Sequence, residues 1–168
     1  MRIFPIIKYP SEILKQKAEP VDISEIRELS DLIDSMINTM YAANGIGLAA
    51  NQVGILKRLV VIDIIRDKEH PPIVLINPQI EDTDGLIDSE EGCLSLPGQS
   101  TVIKRAEKIL VSGLNRHGEM FRLEATGLLA RAIQHEIDHL DGILIMDRLS
   151  PIKREFFKKR YLKEIRRS

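Results

Sequence analysis

The spacing of apolar residues changes period several times along this chain, and each change marks an element. Over residues 24–44, Ile26, Leu29, Ile33, Met36, Ile37 and Met40 recur at helical steps, which predicts an amphipathic helix that opens on Ser24 as its cap and ends at Gly45. Residues 57–64 (KRLVVIDI) are rich in β-branched side chains and read as a strand, followed by a polar loop around residues 67–72 and a short strand over residues 73–76. Residues 108–114 and 120–125 read as a hairpin around Asn115-Arg116-His117-Gly118. Helical spacing then returns at Leu128, Leu129, Ala132, Ile133 and Leu140, with Thr126 placed to cap the helix and Gly142 to close it. A charged helix follows Ser150-Pro151. Strands that lie mainly between helices, rather than alternating with them, predict an α+β fold: antiparallel or mixed sheets packed around a central helix, with a C-terminal helix beyond. With no repeats, low-complexity tracts or dividing linker, the 168 residues are expected to form one domain, 1–168, of which 150–168 is the C-terminal helix.

Charge adds a polarity to that picture. The chain holds 24 basic and 25 acidic residues, but the last sixteen positions carry eight basic residues (Lys153, Arg154, Lys158, Lys159, Arg160, Lys163, Arg166, Arg167) against Glu155 and Glu164. An acidic body with a basic appendage suits either a solvated terminal helix or contact with a polyanion such as RNA. No apolar run reaches the ~18 residues of a membrane span, and the start, with Arg2, Pro5, Lys8 and Pro10, lacks the apolar core of a signal peptide. A cytoplasmic protein without membrane or DNA partners is therefore expected. The lone cysteine, Cys93, has no partner for an internal disulfide and is either a small buried hydrophobe or a functional thiolate.

The densest chemistry lies at His135-Glu136-Ile137-Asp138-His139, an H-E-x-x-H pentad inside the predicted central helix. Positions i and i+4 share a helix face, so both imidazoles can serve one ion with the Glu136 carboxylate beside them. The plain alternative is a pair of satisfied histidines on an ordinary amphipathic helix. A catalytic centre of this kind usually takes three protein ligands and leaves one position for water. The metzincin continuation is excluded, because no histidine follows His139. Cys93, within Glu91-Gly92-Cys93-Leu94-Ser95, is a candidate third ligand; the glycine lets the backbone approach closely, and the Leu94 amide would point toward whatever binds at the ion. A third segment, residues 45–52 (GIGLAANQ), combines two glycines, small residues and a terminal carboxamide.

Together these segments resemble the peptide deformylases, whose pattern is G-x-G-L-A-A-x-Q, then E-G-C-L-S, then Q-H-E-x-D-H-L. The chain matches Gly45, Gly47, Leu48, Ala49, Ala50 and Gln52, then all of 91–95, then the fixed positions of 134–140. Likeness continues from Tyr9-Pro10 through Arg105-Ala106-Glu107 to Gly142. The resemblance implies Cys93, His135 and His139 as ligands of one Fe2+, with Zn2+, Ni2+ or Co2+ able to substitute. It implies hydrolysis of the N-formyl group from the N-terminal formylmethionine of newly made proteins, releasing formate: metal-bound water attacks the formyl carbon, with Glu136 as general acid/base. The Leu94 amide and the Gln52 side chain would donate to the developing oxyanion.

Gly45, Ile46 and Gly47 would flank a site tight enough to admit formyl and reject larger acyl groups. Ile46, Leu128 and Ala132 would line the methionine pocket, although core packing explains Leu128 equally well. N-formyl-Met nascent peptides are the implied partners, and the basic helix fits a ribosomal RNA contact. Two positions depart from some members. Leu96-Pro97 is followed by Gly98-Gln99-Ser100 without an arginine, and Arg131 stands where some members have an apolar pocket residue. A zinc-dependent endopeptidase shares the pentad and is the rival enzyme; a non-catalytic metal-binding or ribosome-associated protein is the rival of another class.

Overall fold

The computed structural model describes residues 2–167; Met1 and Ser168, the ends of the span expected to form one domain, lie outside them. Its elements run α1 (Ser30–Ala42), β1 (Gly47–Ala49), β2 (Leu59–Ile62), β3 (Ile73–Asp84), β4 (Ile87–Cys93), β5 (Leu96–Arg105), β6 (Lys108–Leu114), β7 (Met120–Thr126), α2 (Gly127–Leu140) and α3 (Pro151–Arg167), with short 3-10 turns between. Strands β1-β2-β3-β6-β7 form one sheet in that order, and β4-β5 form a separate hairpin. Every strand pairing is antiparallel.

The five-stranded sheet is covered on both faces, which explains the unbroken apolar run in β2. Val60 and Ile62 pack with Ala130, Ile133 and Ile137 of α2, whereas Leu59 and Val61 pack with Ile33, Met36 and Met40 of α1. Alternate residues of one strand thus serve two cores. A third cluster joins Tyr9 and Leu14 to Leu96 and Ile103 of the hairpin and to Phe157 and Tyr161, the inner face of α3. The Tyr161 hydroxyl donates to the Tyr9 carbonyl at 3.0 Å.

Four expectations change. Residues 23–29 form a 3-10 segment capped by Asp22, whose side chain accepts from the Ser24 amide, and the α-helix proper starts only at Ser30. That helix stops at Ala42, and the left-handed residue after it is Asn44 (φ 56°), not Gly45. The strand expected over 73–76 runs on to Asp84 with register shifts. Residues 87–105, which gave no strand signal, form the β4-β5 hairpin. The ends of α2 fall where the sequence put them. Thr126 takes the cap position through its backbone, without a side-chain cap bond. Gly142 (φ 74°) donates to His139 O at 3.0 Å and Ile143 N to Asp138 O at 2.9 Å, the paired closure of a Schellman turn. A Cβ at Gly142 would lie 2.4 Å from the Lys15 carbonyl oxygen, so close packing as well as φ demands glycine there.

Candidate metal centre and active site

α2 lies against β1, β2, β6 and β7 and presents His135, Glu136 and His139 beneath the free edge of β1 and the end of the β4-β5 hairpin. Cys93 is the last residue of β4, and Leu94-Ser95 form the two-residue turn into β5. The turn brings the thiol onto the helix: Cys93 Sγ lies 3.2 Å from His139 Nε2, and the three donor atoms of Cys93, His135 and His139 fall within 4.8 Å of one another. His135 Nδ1 is held 2.9 Å from Glu91 Oε1, which leaves its Nε2 for the cluster. A thiolate and two imidazoles at this separation are a donor set for a borderline divalent ion, so the residues present fit one. Burial works against charge on His135, yet the thiol and the Glu91 and Glu136 carboxylates prevail and push its pKa well above the usual histidine range. His139, deeper and 1% exposed, is pushed well below it by burial and by the neighbouring cations His135 and Arg105.

Glu136 is 4% exposed, and its Oε1 is buried without a hydrogen-bond partner. Burial, reinforced by Glu91 and Asp138, pushes its pKa up to about 7 against the opposing pull of His135 and Arg105. A carboxyl titrating near neutrality can both take and give a proton at working pH. Gly47 makes its position possible, since a Cβ there would lie 2.6 Å from Glu136 Oε2.

Gln52 sits in the 3-10 turn after β1. Its Oε1 accepts from Ala49 N at 3.0 Å, and its Nε2 donates to Ser95 Oγ at 3.1 Å and approaches Cys93 Sγ at 3.8 Å. A cavity of about 670 Å3 opens onto these groups. Gly45, Ile46, Gly47, Gln52, Cys93, Leu94, Leu128, Ala132, His135 and Glu136 all line it; His139 lies behind Cys93 and does not. Ile46 and Leu128 are 37% and 46% exposed, so here they are wall rather than core.

Sequence reasoning missed the groups that hold the centre in place. Arg105, 4% exposed, donates from Nε and Nη2 to both oxygens of Glu91 and from Nη1 to Asp138 Oδ2 at 2.7 Å. Arg148 adds two further bonds to Asp138. Against the cost of burial, Arg105 and His135 hold Glu91 down to about 2, so it stays ionised as the acceptor for His135 Nδ1. Asp138, inside the pentad, was the available signal: a second carboxylate on a buried turn needs a cation.

Residues 3–155 match the family described as polypeptide deformylase. The chain is 61% identical over 163 residues to the peptide deformylase of Thermodesulfovibrio yellowstonii, covering 96% of this chain and 98% of that protein. Its structure is similar to that of a Legionella pneumophila peptide deformylase, with TM-score 0.90, 45% identity and coverage of 98% and 96%. A Synechococcus elongatus peptide deformylase solved in complex with actinonin gives TM-score 0.85 and 45% identity, covering 94% of this chain and 85% of that one. Each of these relatives is a deformylase, which leaves the endopeptidase alternative without support. The chain belongs to the polypeptide deformylase family, the metal-dependent hydrolases that remove the N-formyl group from newly made peptides.

Proposed function

We propose that Cys93, His135 and His139 hold the ion of this deformylase, Fe2+ by preference with Zn2+, Ni2+ or Co2+ able to substitute, and that Glu136 is its general acid and base. The observation that carries this reading is Glu136 itself: a buried carboxyl with one unpartnered oxygen, facing the cavity beside three soft and borderline donors. When bound there, a divalent ion supplies Lewis acidity, lowering the pKa of a water and polarising a carbonyl.

The rest falls to the chain. Glu136 takes a proton from the attacking water as its oxygen bonds to the formyl carbon, and returns that proton to the amine nitrogen as the C–N bond breaks and formate leaves. The Leu94 amide and the Gln52 carboxamide donate to the formyl oxygen as it gains charge, each contributing about 3 kcal/mol to the transition state. Ser95 Oγ and Ala49 N orient that carboxamide from opposite ends. β1 (Gly47–Ala49) is an edge strand, so its outward backbone at Gly47 has hydrogen-bonding groups to offer an extended peptide, while Gly45 and Ile46 form the cavity wall that leads into it. Ile46, Leu128 and Ala132 supply the apolar surface for the methionine side chain.

The setting expected is one cytoplasmic domain acting on nascent chains. Among the described residues no helix is long and apolar enough to cross a membrane. Lys153, Lys159, Lys163 and Arg166 on the outer face of α3 are exposed and fit a ribosomal RNA contact. Replacing these four by glutamine should weaken ribosome binding at low salt, and unchanged binding removes that partner.

The central test is formate release from an N-formyl-Met tripeptide, using protein purified without oxygen and reconstituted with Fe2+, beside Glu136→Ala. Rapid release that the variant loses by at least about a hundredfold supports the assignment of Glu136. Release retained in the variant refutes it, and no release from the metal-loaded native protein refutes the reading as a whole.

A further inference from the structure

We infer that Arg131 is a specificity-determining residue, which reads a carboxylate on the peptide just beyond the formylmethionine; the inference rests on the deformylase reading and names a feature of its substrates. Arg131 is one helical turn before His135 and three residues after Leu128, so it belongs to the face of α2 that lines the cavity. Among the described residues it is the sole lysine or arginine lining that cavity. Its Nε is buried without a hydrogen-bond partner, and among the described residues the side chain makes no ion pair.

That state is unusual in this molecule. The other buried or half-buried arginines, Arg58, Arg105, Arg116 and Arg154, each pair with a carboxylate, so although Arg154 also keeps a buried unpartnered Nε, Arg131 alone among them combines one with no ion pair in the described residues. Of the acidic groups lining the cavity, Glu91 is taken by Arg105 and His135, and Glu136 stands at the reaction centre. Glu90 is exposed and forms no ion pair among the described residues, so its charge is solvated and screened.

A guanidinium with a desolvated, unsatisfied N–H is a donor waiting for an acceptor, and its planar fork matches a carboxylate better than a single carbonyl. The apolar surroundings, Leu128 and Ala132 on the helix and Ile46 and Pro97 across from it, suit the methionine side chain and the arginine stem. Side chains one turn apart sit about 5–6 Å from each other at Cβ. The head of Arg131 is thus offset from the reacting carbon and addresses the residues that follow methionine.

The test compares kcat/KM of the Fe2+-loaded enzyme for formyl-Met-Glu-Ser with formyl-Met-Gln-Ser, and for formyl-Met-Ala-Glu with formyl-Met-Ala-Gln. Each pair differs in charge at nearly constant shape. A preference of about tenfold for glutamate is expected in at least one pair, the size of one charge-assisted hydrogen bond, and it should shrink as salt is raised. Arg131→Gln should bring the ratio near one, Arg131→Lys should keep its sign, and Arg131→Glu should turn it toward a lysine-bearing peptide. Native ratios near one in both pairs, or a preference that survives Arg131→Gln, overturns the inference; should that variant misfold, the Lys and Glu variants decide by the sign of the ratio. Neutral formyl-Met-Ala-Ser separates the two levels of argument. Its turnover with flat ratios defeats only the role of Arg131, whereas its failure to react defeats the deformylase reading and this inference with it.

Discussion

Two polar clusters hold the two walls of the cavity, and they work by different means. On the α2 side, Arg105 gathers Glu91 and Asp138 in the interior, and every bond it makes is to a side chain. On the β1 side, Asp63 accepts from the amides of Ile65 and Arg66 and from the Tyr41 hydroxyl, while the exposed Arg66 donates to the Gly45 carbonyl and stacks 5.8 Å from the Tyr41 ring centre. The Asp63 amide also donates to Ile46 O. The first cluster orients a side chain, His135, through Glu91. The second sets the course of a backbone, at Gly45 and Ile46. Losing the first should cost stability, because buried charges lose their partners; losing the second should cost alignment.

Arg105→Ala makes the sharpest break. It leaves two buried carboxylates with reduced compensation and should lower unfolding free energy by about 3–5 kcal/mol, read by urea denaturation; a loss below about 1 kcal/mol would mean water replaces the guanidinium and the contrast is void. The second cluster shows itself through pH. Burial, with the hydrogen bond and charge of Asp63, pushes Tyr41 up to about 12 from 10.0. A proton held more tightly in the folded state gives stability that is full below pH 10 and drains as pH rises toward 12. Asp63 runs the opposite way. Burial raises its pKa, but the Tyr41 hydroxyl and the Ile65 and Arg66 amides outweigh burial and leave it below 3.8, so its contribution is present above pH 3.8 and lost under more acid conditions. Tyr41→Phe should flatten the alkaline limb of a stability–pH curve, and an unchanged limb would detach Tyr41 from the cluster.

Arg66→Ala comes next, with a stability loss under about 1 kcal/mol because the side chain is exposed. Its mark should be a higher KM for formyl peptides at nearly unchanged kcat, since the Gly45 wall loses a tether while Glu136 keeps its surroundings. A fall in kcat alone would assign the tether to chemistry instead. Lys159→Gln and Lys163→Gln, outside both clusters, should move unfolding by no more than about 0.5 kcal/mol; larger shifts would show that α3 carries its load through surface charge.

How much of this could be read beforehand differs between local and distant features. The pentad helix was legible because its histidines, stripe and closing glycine all lie within seventeen residues of one another. Cys93 was legible as a candidate ligand through resemblance, but the hairpin that delivers it was not. Asp88, Glu90, Gly92, Pro97, Gly98 and Gln99 are poor strand formers, and β4-β5 is held by cross-strand pairing and by the third core, neither of which leaves a local period. Likewise, nothing near Arg105 announces Asp138, 33 positions on. The 3-10 start before α1 was hidden because Asp22 and Ser24 are both good caps two residues apart, and the Asp22 side chain takes the amide.

The meeting of α3 with the start of the chain bears on how this enzyme is born. Tyr161 binds the carbonyl of Tyr9 across 152 residues, and Arg160 Nε donates to Gln99 Oε1 at 2.7 Å on the cavity rim. The first spans 152 positions and the second 61, so both close only after residues 160 and 161 have been synthesised. A family that removes the formyl group from newborn chains thus has, in this member, a cavity rim completed by a contact from its C-terminal helix.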